Sequence, residues 1–116
     1  MKTITYKQIS SAAENLVTAC SRVTPSCIRA MTAALEKESN QNAKTAISML
    51  LSNATLAEGN GLAVCQDTGM AVFFVRLGQD MHVEGGLLTD AINEGVRNGY
   101  EKNGYRASVL DPITRK

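Results

Sequence analysis

The sequence predicts an α+β fold in which N-terminal helices pack with a small sheet and one further helix, as part of a larger fold. Two observations predict it. Up to residue 59 the apolar residues recur at steps of three and four, the spacing of one helical face. From residue 60 onward, short β-branched or aromatic runs bounded by Gly, Asp and Pro flank a single further helical stripe.

Thr5 is placed to cap a first helix whose apolar face is Tyr6, Ile9, Ala13, Leu16, Val17 and Cys20. Thr24-Pro25 starts a second, because proline at the first helical position loses no internal hydrogen bond, and Ile28, Met31 and Leu35 continue the stripe. Ser39-Asn40-Gln41-Asn42 is the break. A third stripe of Ala43, Ala46, Ile47, Leu50, Leu51, Ala54 and Ala57 ends at Gly59-Asn60-Gly61, a helix C-terminal signal. Ala71-Val72-Phe73-Phe74-Val75, bounded by Gly69 and by Gly78-Gln79-Asp80, predicts a buried strand, and Met81 to Val83 a second short one. Gly85-Gly86 opens a fourth helix with Leu87, Leu88, Ala91, Ile92, Val96 and Tyr100 on one face and Asn103-Gly104 as its stop. Ala107 to Leu110 then predicts a last strand, ended by Asp111-Pro112. A chain that stops soon after a strand, at Ile113 to Lys116, leaves a sheet edge to be covered, which suggests a piece of something longer.

Global properties limit the function. At 116 residues the chain has the length of one domain with one core, burying about two thirds of its extended surface. A net charge of +1, from 12 basic and 11 acidic residues, supplies no field to gather nucleic acid or an anionic membrane. Small molecules or proteins are the expected partners. The start, Met1 to Lys7, lacks the apolar core of a signal peptide, and no apolar run approaches the roughly 18 residues of a membrane span, so a cytoplasmic location is expected. Three cysteines, an odd number, argue against a disulfide framework and leave thiols that are reactive, metal-binding or simply buried.

The chemistry concentrates in Cys65-Gln66-Asp67-Thr68-Gly69, immediately before the apolar run. A cysteine thiolate suits an iron-sulfur cluster or zinc, although a lone cysteine beside a strand also serves as a small buried hydrophobe. Asp67 can exchange a proton with a ligand, Gln66 can hold a carboxylate oxygen through its amide N–H, and Gly69 permits a backbone turn that a side chain would oppose. Elsewhere the signals are weak. His82 has no nucleophile motif beside it, and Gly59-Asn60-Gly61 follows a helix and lacks the third glycine of a dinucleotide site. Met31, Met49, Met70 and Met81 read as core filler.

The pentapeptide, the apolar run, Gly78-Gln79, Gly85-Gly86, Ala91-Ile92, Gly95-Val96-Arg97, Tyr105-Arg106-Ala107-Ser108 and Asp111-Pro112 near Arg115-Lys116 together resemble the N-terminal region of the class I, iron-sulfur fumarate hydratases and their alpha subunits. The related L-tartrate dehydratase alpha subunits share the first motif. The resemblance is clear over residues 40–116. It implies one fumarase-type N-terminal domain over residues 1–116, helical over 1–59 and α+β over 60–116, truncated from a longer chain. It further implies a hydro-lyase that interconverts fumarate and malate, or a related hydroxy-diacid, on a [4Fe-4S] cluster held by three cysteines with one iron open to substrate. Cys65 would be one of the three ligands. Gln66 and Asp67 would face the substrate, with Asp67 a proton donor, Arg106 would grip a substrate carboxylate, and Thr68 and Gly69 would shape the loop. The other two cluster cysteines of the family lie beyond Lys116, while Cys20 and Cys27 match no ligand position and read as helix-packing residues. Expected partners are a dicarboxylate and the remaining C-terminal part or a beta subunit, in a homo- or hetero-oligomer. The alternative function is a non-catalytic domain, for assembly or small-anion binding, that keeps the fold.

Overall fold

The computed structural model describes residues 2–114, so Arg115 and Lys116, which close the family-like blocks, lie outside the described residues. Its elements in chain order are β1 (Lys2–Thr5), α1 (Tyr6–Cys20), α2 (Pro25–Lys37), α3 (Gln41–Asn60), β2 (Met81–Glu84) and α4 (Leu88–Asn103). The α+β class and the four helices agree with the sequence reading. None of these helices is long and apolar enough to cross a membrane. The chain divides into two compact units, one running from Cys20 to Cys65 and the other combining the residues through Ala19 with those from Gln66 on.

In the Cys20–Cys65 unit, α2 begins at the expected Thr24-Pro25, where the Thr24 hydroxyl accepts from the Cys27 N–H at 3.3 Å. Asn40 caps α3 by accepting from the Asn42 and Ala43 N–H groups at 2.9 and 3.2 Å, and Gly61 ends it in the left-handed conformation. Ala54 and Ala57 are the buried residues of α3, whereas Met49, Leu50 and Leu56 of the same helix are exposed.

The other unit is built on a close helix pair. Ile9, Ser10, Ala13 and Val17 of α1 are buried, and so are Ala91, Gly95 and Gly99 of α4. A Cβ on Gly95 would collide with the Ser10 backbone and the Ala13 side chain, and one on Gly99 would meet Val17. Polar contacts fasten the same pair: Tyr6 donates to Glu94 at 2.9 Å, Lys102 pairs with Glu14 at 2.9 Å, and Asn103 donates to the Thr18 hydroxyl at 2.9 Å. Thr5 and Gln8 form a capping box at the start of α1, Gln8 N–H donating to the Thr5 hydroxyl and Thr5 N–H to the Gln8 amide oxygen. β1 and β2 pair in parallel, Lys2 against Met81 through Thr5 against Glu84. The strand at Met81 was expected, but β1 was not.

Several expectations are corrected. Residues 71–75 form no strand: no described segment pairs with them, and Val72, Val75 and Phe74 are exposed, the last at 96 %. Ala107 to Leu110 likewise has no ladder, and Val109 and Leu110 are exposed. β-propensity reports fit to a pleated, partly buried surface, and it yields a strand only where a neighbour supplies hydrogen bonds. Met49 and Met70 are exposed, and Cys20 and Cys27 are exposed thiols, so none of the four fills a core. The accessible surface of 8859 Å² also exceeds the roughly 6,100 Å² expected for a folded monomer of this mass, and even the roughly 7,400 Å² of two separately folded bodies sharing it. The expected burial of two thirds is therefore not reached, and large apolar side chains such as Phe74, Met70, Val72 and Leu87 are among those exposed.

Candidate functional site

The polar pentapeptide lies on irregular backbone after α3, with Cys65 in the Cys20–Cys65 unit and Gln66 to Gly69 in the other. On the α3 side, Asn53 donates through Nδ2 to the Val64 carbonyl at 2.7 Å, fixing the residue before Cys65. Cys65 is exposed and closes its unit. The Gly69 N–H donates to the Asp67 carboxylate at 3.0 Å across a turn in which Gly69 adopts φ 66°. That left-handed conformation is the one a side chain opposes, so this glycine is required by the turn.

The other flank joins residues some forty positions apart. Thr68 donates its hydroxyl to the Arg106 carbonyl, and its N–H donates to the Ser108 hydroxyl at 3.3 Å. The Ser108 proton has the Gln66 carbonyl at 3.5 Å and the Arg106 carbonyl at 3.4 Å as acceptors. Tyr100, in the last turn of α4, donates to the Thr68 carbonyl at 3.2 Å, with the Gly69 carbonyl at 3.4 Å as a second acceptor. Gly104 ends α4 in the left-handed conformation and turns the chain back, so that Tyr105 meets Tyr100 edge-to-face with ring centroids 6.0 Å apart.

Gln66, Asp67 and Arg106 are thereby assembled in one loop cluster with their side chains exposed. This cluster thus carries a carboxylate that can exchange a proton, an amide N–H that can donate and a guanidinium with a planar fork of donors. Tyr100 and Ser108 also bond to this loop, contacts that sequence reasoning did not single out. Tyr100 read as the last member of an apolar stripe, yet a tyrosine at a helix end carries a polar tip that seeks a partner. For a metal, Cys65 offers one soft, accessible thiolate. No group of three His, Cys, Asp or Glu side chains able to hold a metal ion occurs among the described residues. The donor set thus fits one corner of an iron-sulfur cluster and not a whole one.

The chain matches the family model for fumarate hydratase (Fumerase) over residues 9–116. It is 30% identical over 88 residues to a Methanocaldococcus jannaschii protein described as "Putative L(+)-tartrate dehydratase subunit alpha", an overlap of 75% of this chain and 31% of that protein. The chain therefore spans about a third of the length of the curated relative it matches. No solved structure matches it.

Proposed function

Because the chain belongs to the fumarate hydratase (Fumerase) family, we propose that it is the N-terminal part of an iron-sulfur hydro-lyase that reversibly hydrates fumarate to malate, or acts on a related hydroxy-diacid such as tartrate. The observation that carries this reading is the hydrogen-bonded joining of residues 66–69 to residues 106–108, which gathers Gln66, Asp67 and Arg106 from distant parts of the sequence. In this reading Arg106 holds one substrate carboxylate through two N–H donors, and Gln66 donates to a carboxylate oxygen. Hydration delivers a proton to one alkene carbon while hydroxide joins the other. Asp67 supplies that proton, and in dehydration takes it back.

Cys65 contributes one thiolate to a [4Fe-4S] cluster whose other ligands come from outside this chain. When bound, that group supplies a Lewis-acidic iron for the substrate hydroxyl. The complement is the C-terminal part of the enzyme or a beta subunit, in a homo- or hetero-oligomer. Support for such a complement comes from the exposed apolar residues around Phe74 and from the "subunit alpha" in the relative's name. Three exposed cysteines with no disulfide suit a reducing cytoplasmic compartment.

Anaerobic reconstitution with iron and sulfide tests the proposal. The chain combined with its complement should interconvert a four-carbon dicarboxylate and its hydrated form. An assembly that binds the dicarboxylate without converting it would return the chain to the reading of an anion-binding or assembly domain.

A further inference from the structure

We propose that Tyr100 and Ser108 are positioning residues: with Thr68 they latch the loop bearing Gln66 and Asp67 onto the segment bearing Arg106, and so set the spacing between the proton-handling carboxylate and the substrate-holding guanidinium. This inference rests on the hydro-lyase reading of the same site. Gln66, Asp67 and Arg106 are all exposed, so packing around their side chains does little to aim them, and their placement depends on the backbone that carries them. That backbone belongs to no helix or ladder.

Tyr100 is well mounted for the task. It rides on α4, whose Gly95 and Gly99 press against α1 and whose Lys102 and Asn103 are tied to Glu14 and Thr18. The edge contact with Tyr105 limits rotation of its ring, and its single O–H proton faces two carbonyls of the Asp67 loop. Ser108 works from the opposite side, accepting from Thr68 N–H and donating to the Gln66 or Arg106 carbonyl. The direct bond from the Thr68 hydroxyl to the Arg106 carbonyl joins the neighbour of Asp67 to the backbone of Arg106. A dicarboxylate has a fixed length, and a misplacement of about 1 Å costs on the order of a hundredfold in rate.

The test uses the assembled enzyme containing this segment, with Tyr100→Phe, Ser108→Ala and Ser108→Thr, each alone and combined with Asp67→Asn. Tyr100→Phe keeps the ring contact and removes only the donor. It and Ser108→Ala should lower kcat roughly ten- to a hundredfold and raise KM, with unchanged iron content and little change in thermal midpoint. Ser108→Thr, which keeps the hydroxyl, should restore most of the loss. Backbone amides of residues 67–69 should exchange hydrogen at least tenfold faster in Tyr100→Phe, a readout independent of iron and turnover. In the Asp67→Asn background Tyr100→Phe should add little further loss of kcat, because its effect on turnover runs through the placement of the Asp67 carboxylate. Unchanged amide exchange, or kinetic losses that multiply fully with Asp67→Asn, would overturn the latch while leaving the hydro-lyase reading intact. Full turnover in Asp67→Asn alone would overturn the site reading, and the latch with it.

Discussion

Gly99 of α4 lies directly against Val17 of α1: a Cβ at position 99 would stand 2.9 Å from the Val17 Cβ. One turn earlier, Gly95 faces the Ser10 carbonyl and the Ala13 side chain even more closely. Two glycines four residues apart therefore set how near the helices approach.

Alanine at either glycine brings two opposed effects. Helix propensity improves by up to about 1 kcal/mol, while the added methyl forces the helices apart at a cost of about 1–3 kcal/mol. Packing should win at both, and most at Gly95, where the Ser10 backbone and the Ala13 Cβ obstruct more closely than the Val17 Cβ and the Glu14 carbonyl do at Gly99. Urea unfolding followed by circular dichroism should rank the stabilities wild type, Gly99→Ala, Gly95→Ala. A Gly95→Ala protein as stable as wild type would show that the α1–α4 approach is looser than described.

The turn between α2 and α3 predicts an acid-sensitive contact. The Glu38 carboxylate accepts from the Ser39 and Asn40 N–H groups, both at 2.8 Å, and these bonds, Asn40 first, hold its pKa below the ordinary value of 4.5. A lowered folded pKa contributes stability that is present above the unfolded value and is lost as pH falls through the folded one. The loss therefore begins near pH 4.5 and continues below it. Between neutral pH and about pH 3 the thermal midpoint of wild type should fall more than that of Glu38→Gln, whose amide oxygen still accepts but does not titrate. Equal falls would remove Glu38 from the acid response.

The helices were legible because each carries its own signals: Thr24-Pro25, Asn40 and Gly61 are local and cost nothing to read. The strands were not, because a strand is a property of a pair. Ile4 pairs with Val83 across most of the chain, and no period-two pattern in four residues announces it. Val72 and Phe74 look like a strand yet have no described neighbour to pair with. In the candidate site, the Cys65 to Gly69 run was picked out by residue type and by family resemblance, and Arg106 by the resemblance alone. The bonds of Thr68 to Arg106 and Ser108 were not, since they join residues some forty positions apart and no local pattern announces them.

Cys65 alone should not retain a cluster. One exposed thiol, with no group of three potential metal ligands among the described residues, leaves an iron-sulfur cubane under-anchored, so the isolated chain reconstituted with iron and sulfide should lose the group on desalting. A persistent absorption band with near-stoichiometric iron would bring Cys20 and Cys27 into the ligand set. In the complete enzyme Cys65→Ser should lower iron content while circular dichroism stays unchanged, because an exposed side chain contributes little to folding.

The Asp67 and Arg106 side chains are given different tasks, so their variants should fail differently in the complete enzyme. Arg106→Lys keeps the charge and loses the planar two-point grip, so substrate should bind less tightly and sit less accurately, raising KM and lowering kcat together. Asp67→Asn is nearly isosteric and its amide oxygen can still accept from the Gly69 N–H, so the turn should persist. What it loses is the transferable proton, which should depress kcat by a factor on the order of a hundred or more with a smaller change in KM. Iron content should survive both substitutions, since neither side chain is assigned as a ligand. A role of Asp67 confined to closing the turn would give the opposite pattern in Asp67→Asn, near-normal turnover at full iron content. An Arg106 that serves only through its carbonyl bond to Thr68 would leave substrate affinity unchanged in Arg106→Lys, because that bond involves backbone and not the guanidinium. Steady-state kinetics with iron measured on the same samples separates these outcomes.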